Sequence, residues 1–155
     1  MATPLQILKL LESVGPFVEE LDTILQIDEQ TFAFKFEDES GLLMFCDTPA
    51  HRLTLARAIG VVQPHHKAEV HEAILRANGF WQQSEGVSVA LDDDDQIVIV
   101  KHVFSDVDVP YLVAIVEDLL DKSAVWQQIV NSEPEMPSHD LQTSTTEQAA
   151  SMMKV

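Results

Sequence analysis

The stretch "TFAFKFEDESGLLMFCDTPAHRLTLARAIG", residues 31–60, decides the fold. In its first arm the period is two. Phe32, Phe34 and Phe36 fall on one side, and Thr31, Lys35 and Glu37 on the other, the alternation of a half-buried strand. "EDESG" supplies a turn, and Leu42 to Cys46 follows with both alternating sets apolar. "DTP" ends that run, and "RLTLARAIG" sends Leu53, Leu55 and Ile59 inward. Three consecutive strands of this kind are most simply an antiparallel meander.

Helical patterns flank the meander. Thr3 with Gln6 makes a capping box, Pro4 stands at the first helical position and Gly15 closes the segment. Leu5, Leu8 and Leu11, with Ile7 and Val14, form its apolar stripe, so residues 4–14 are predicted helical. Phe17, Val18, Leu21, Ile24 and Leu25 keep a helical spacing and predict a second short helix. After the meander, Pro64 opens a helix with Val70, Ala73, Ile74 and Ala77 on one face, and Asn78 and Gly79 are expected as its left-handed cap. "GVSVALDDDDQIVIVKHVF" reads as a hairpin with the aspartates at its tip. Asp108 and Pro110 start the last helix, whose stripe runs Leu112, Val113, Val116, Leu119, Leu120, Trp126 and Val130. Residues 1–130 are expected as one domain, and 131–155, aperiodic and rich in Ser, Thr and Gln, as a disordered C-terminal tail.

The expected fold is α+β: a mostly antiparallel five-stranded twisted sheet with three main helices, in the order α-β-β-β-α-β-β-α. Two strands, at 42–46 and 97–104, are apolar on both faces, and three helices are too few to cover both sides of the sheet. Apolar surface should therefore remain for a second subunit or a partner chain.

The chemistry-bearing residues fail their spacing tests. His71 and Glu72 begin an H-E-x-x-H pattern, but Leu75 stands where the second histidine belongs, and His65 and His66 sit on other faces of the helix. Solvated histidines on its polar side are expected instead. Read as a calcium loop from Asp92, "DDDD" puts Ile97 at the position needing glycine and Val103 at the position needing a bidentate glutamate. Cys46 and His51 lack a third, orienting group. No catalytic, metal or cofactor site is expected, and the single cysteine fits a reducing compartment.

Nine Lys and Arg against 26 Asp and Glu give a formal charge of −17, which repels phosphate backbones and anionic lipid. Nucleic acid and membrane are thus poor partners. The N-terminal run lacks the form of a signal peptide and nothing approaches a membrane span, so a cytoplasmic protein is expected.

The strings "LTLARAIGVVQP", "AILRANGFW" and "VALDDDDQIVIVKHVF", followed by a helix containing "DKSAVWQQIV", occur in an order that resembles the class I type III secretion chaperones, the Tir-chaperone-like (CesT) family. Gly60 and Pro64, Leu75 and Asn78 with Phe80, and Trp126 carry the match. The resemblance implies a bacterial cytoplasmic homodimer without catalysis, which binds the N-terminal segment of a secreted effector as an extended chain and keeps it soluble and export-competent. It also implies the secretion ATPase as a further partner. On this reading Val70, Ile74, Ala77 and Trp81 are candidates for the dimer contact, and Phe32, Phe34, Leu43 and Phe45 for cargo pockets. The alternative is a small acidic adaptor that binds a folded partner outside secretion.

Overall fold

The computed structural model describes residues 4–132. Thr3 and the tail from residue 133 lie outside the described residues, as does the expected disorder of that tail. The chain runs α1 (Pro4–Val14), β1 (Leu21–Gln26), β2 (Thr31–Phe36), β3 (Gly41–Asp47), β4 (Arg52–Val61), α2 (Lys67–Gly79), the single turn α3 (Trp81–Ser84), β5 (Val87–Leu91), β6 (Gln96–Phe104) and α4 (Val109–Asn131). One antiparallel sheet holds all the strands in the order β1-β2-β3-β4-β6-β5.

The sheet has six strands rather than five, because residues 21–26 form a strand where the apolar spacing predicted a helix. A 3₁₀ turn at Gly15–Phe17 and Glu20 at φ 63° interrupt any helical continuation. Leu21 and Ile24 still reach the core, which is why the spacing misleads. Pairing against β2, with Ile24 opposite Phe34, satisfies backbone groups that β2 would otherwise present at an open edge.

All the buried strand side chains share one face. Phe32 and Phe34 of β2 stand beside Met44 and Leu42 of β3, Met44 and Cys46 stand beside Leu55 and Leu53 of β4, and Ile97, Ile99, Val87 and Val89 continue the layer. Ile7, Leu11 and Val14 of α1 and Leu112, Ile115, Val116 and Leu119 of α4 belong to the same core, with Val70 and Ile74 of α2 at the β5 side. Ile115 takes a place that the sequence stripe gave to Val113 and Leu120, which are half-buried. At Ile59 a bulge breaks the β4–β6 register, and Gly60 follows at φ 146°, a conformation that side-chain-bearing residues rarely adopt.

Two local expectations are corrected. Gly79 is not a left-handed cap; the positive φ angles in this region fall on Glu85 and Gly86. The physical reason lies in Asn78, whose carboxamide accepts from Val89 N–H at 3.0 Å and donates to Val89 C=O at 2.8 Å. That amide stands in for a neighbouring strand at the edge of β5. His66 is also buried rather than solvated, because it closes the 3₁₀ turn Pro64–His66 against the core.

Beneath the sheet, Asp118 of α4 accepts from Lys101 at 3.2 Å and from Lys122, which also donates to Glu85 at 2.9 Å. Burial pushes the Asp118 carboxyl up, but the hydrogen bonds from Lys122 and Lys101 outweigh it and hold the pKa below the usual carboxylate range. A carboxylate depressed in the native state adds stability that is present above its unfolded pKa and lost as pH falls through the native value. Asp118→Asn should therefore cost about 1 kcal/mol near neutrality. In urea titrations across pH, the gap to wild type should close as pH falls below about 4.

Candidate protein-binding surfaces

The strand period that builds the core also leaves its complement outside. Thr31, Ala33 and Lys35 of β2, Leu43 and Phe45 of β3, Thr54 and Ala56 of β4, and Val98, Val100 and His102 of β6 alternate with the buried set, and none of them is buried. Register lines them into cross-strand rows, one of which runs Leu25, Ala33, Leu43, Ala56, Val100 and Ser88. A second row runs Thr31, Phe45, Thr54 and His102, with His102 Nδ1 2.9 Å from Thr54 Oγ1. Among the described residues no helix lies over this outer face. Leu43 is 47% exposed and Phe45 42%, large values for such residues mid-strand in a central strand.

The outer face runs into a cavity of about 710 Å³ at one end of the sheet, where the β3–β4 turn meets the start of α4. Phe104, 77% exposed, and Tyr111 flank it, and Arg52, His102, Asp106 and Asp108 supply its polar lining. Asp108 is held as the α4 cap by accepting from Tyr111 N–H at 2.9 Å.

The four cargo candidates split by parity. Leu43 and Phe45 lie on the outer face, whereas Phe32 and Phe34 are each 1% exposed and belong to the core. The correction has a simple cause: the helices can cover only one face, and the phenylalanine face is the more apolar. The β2–β3 alternation could have separated the two pairs had the register been known.

The α2 candidates also divide. Val70 and Ile74 pack into the protein's own core, and Trp81 opens α3. Ala77 is half-buried and lines a second cleft of about 240 Å³ between α2, β5 and α4, together with Phe80, Val125 and Trp126. The outward side of α2 carries Leu75, 74% exposed, with exposed Phe80 just beyond the helix. Leu75 stands off the helix's apolar stripe, whose Val70 and Ile74 the chain's own core consumes.

The open edge at β1 completes the set. Ile27 N–H bonds Thr31 C=O at 2.9 Å, and ladder alternation from that pair turns the peptide groups of Ile24 and Gln26 away from β2. No described backbone group bonds them from outside the sheet.

Reactive groups do not converge. No set of three or more His, Cys, Asp or Glu side chains among the described residues is placed to hold a metal ion. Cys46 lies in the core, and burial pushes its thiol up to about 11, far from the thiolate that a nucleophile requires. Among the described residues no helix is long and apolar enough to cross a membrane.

Comparison with known proteins gives this surface its context. The sequence profile of the Tir chaperone protein (CesT) family matches residues 14–127. This chain belongs to the Tir chaperone family. That family is one of chaperones, not of enzymes. Solved structures with the same fold include a chain of the ExsC–ExsE complex, 18% identical, with TM-score 0.68 over 84% of this chain and 97% of that one. A chain of the HopA1–SchA chaperone–effector complex is 20% identical, with TM-score 0.64 over 81% and 95%. A chain of the complex of the Yersinia pestis type III secretion chaperone SycH with a stable fragment of YscM2 is 22% identical, with TM-score 0.55 over 76% and 97%. No curated protein sequence matches.

Proposed function

We propose that this Tir chaperone family member is a cytoplasmic type III secretion chaperone that binds the N-terminal segment of an effector in extended form and keeps it soluble and export-competent. The observation that carries the reading is the six-stranded sheet with a continuous outer face on which no side chain is buried. An unfolded segment has two needs, cover for its spaced apolar side chains and partners for its peptide groups. Leu43, Phe45 and their row neighbours meet the first. Strand addition at the β1 edge, beside Ile24 and Gln26, meets the second. Apolar burial at about 25 cal/mol per Å² offsets the cost of ordering the bound chain, so holding needs no nucleotide. Similar structures that are complexes with effectors or partner fragments support the reading.

We further propose that two copies associate through the outward side of α2, around Leu75 and Phe80, leaving Val70 and Ile74 to the core of each. A two-fold pair would join two outer faces into a longer path for one wrapped segment. Handing that segment to a secretion ATPase would be the step before export.

Two measurements test this. Co-expressed with an effector encoded beside it, the chain should protect a stretch near the effector's N-terminus from proteolysis while that stretch stays without a fold of its own. Protection of a folded effector domain instead would favour an adaptor. Leu75→Asp should convert a dimer into a monomer in gel filtration with light scattering and leave the circular dichroism unchanged, whereas Ile74→Asp should unfold the chain by burying an unpaired charge. An unchanged mass for Leu75→Asp removes α2 from the contact.

A further inference from the structure

The outer face ends in the cavity of about 710 Å³, and the charges around that cavity do not cancel. Arg52 is paired with Asp47 at 3.4 Å, and His102 Nδ1 stands 2.9 Å from Thr54 Oγ1. Asp106 and Asp108, which also line the cavity, are exposed and make no ion pair among the described residues. Asp108 spends one oxygen on the Tyr111 N–H, and the α4 N-terminus offsets only part of its charge. Uncompensated negative charge therefore stands beside two exposed rings, Phe104 and Tyr111. The cavity is also in line with the apolar rows. From the row of Phe45, Thr54 and His102 to the row of Asp47, Arg52 and Phe104 is two residues, about 7 Å along the strands. That is the spacing of side chains i and i+2 on one side of an extended chain.

We infer that this cavity takes a basic side chain of the extended partner segment, arginine before lysine, two residues beyond an apolar side chain seated on Phe45. The inference rests on the reading that the outer face holds the effector segment, and it names one anchor of that segment. A guanidinium is flat enough to lie on the Phe104 or Tyr111 ring while its fork reaches Asp106 or Asp108. Its aliphatic stem then rests on Val103 and Val107 of the cavity wall. Lysine brings the charge without the flat face. A carboxylate in the same place would meet Asp106 and Asp108 as a like charge, an arrangement that rejects wrong partners. The long-range field acts in the same direction, since a formal charge of −17 draws basic chains toward the protein. At physiological salt that field is screened within about 8 Å, so the choice of this cavity falls to the groups that line it.

The probes are three labelled ten-residue peptides of alternating Leu and Ser, identical except that one central Leu is replaced by Arg, Gln or Glu. At about 0.15 M salt the Arg peptide should bind the full chain about five-fold tighter than the Gln peptide, and the Glu peptide should bind weakest. Asp106→Asn with Asp108→Asn should erase this order, since asparagine keeps the α4 cap and removes the charge. Asp93→Asn with Asp94→Asn removes the same charge at the opposite end of β6 and should leave the order intact. Phe104→Ala should weaken the Arg peptide about two- to five-fold and leave the Gln peptide unchanged. Should the Asp106 and Asp108 double variant lose its circular dichroism, Phe104→Ala decides. Equal binding of the three peptides, or an order erased by both double variants alike, overturns the inference. Failure of all three peptides while the chain still protects its effector also overturns it and leaves the chaperone reading standing. Absence of effector protection would sink that reading too.

Discussion

The structure depends on an imbalance between sheet and helix. Six strands present two faces, and α1, α2 and α4 bury their stripes against only one of them. The covered face collects Phe32, Phe34, Met44, Leu53, Leu55, Ile97 and Ile99, all fully or nearly fully buried. Strand period then dictates that the alternate residues, Leu43 and Phe45 among them, stand outside. An apolar outer face costs solubility unless something keeps molecules apart, and the charge of −17 on the remaining surface does this through mutual repulsion. Acidity and the bare sheet are two halves of one arrangement.

That arrangement suits holding better than chemistry. The groups that could suggest a hydrolase are dispersed by the fold: His66 goes into the core, His65 is exposed, Cys46 faces inward with a raised pKa, and the aspartates of the β5–β6 hairpin form a turn in which Asp92 accepts from Asp94 and Gln96 N–H. What converges is apolar area, an open strand edge and two clefts. The chain belongs to the Tir chaperone family, and the proposed holding of an effector segment would use these features together.

Much of this was legible in the residues. Period-two alternation located β2, the Gly and Asp turns bounded β3, β5 and β6, and Asp108 with Pro110 fixed the start of α4, because each signal is a local steric or hydrogen-bonding requirement. The deficit of helical cover could be counted before any register was known. Illegible were the features that tertiary pairing decides. Leu21, Ile24 and Leu25 fit a helix as well as a strand until β2 supplies a partner. Asn78 looks like a cap until β5 claims its amide. Phe32 and Leu43 carry equal apolar weight in sequence, and only the choice of face by α1 and α4 makes one core and the other surface. The same choice turned Val70 and Ile74 inward and left Leu75 outside.

Hydroxyl-radical footprinting of the chain alone and bound to its effector tests the central claim most directly, since it reads the solvent access of individual side chains. Leu43, Phe45 and Phe104 should be oxidised readily in the free protein and shielded several-fold in the complex, while Phe32 and Phe34 stay unreactive in both. Equal oxidation of Leu43 and Phe45 in the free and bound states would show that the outer face is not what the partner covers, and would contradict the account.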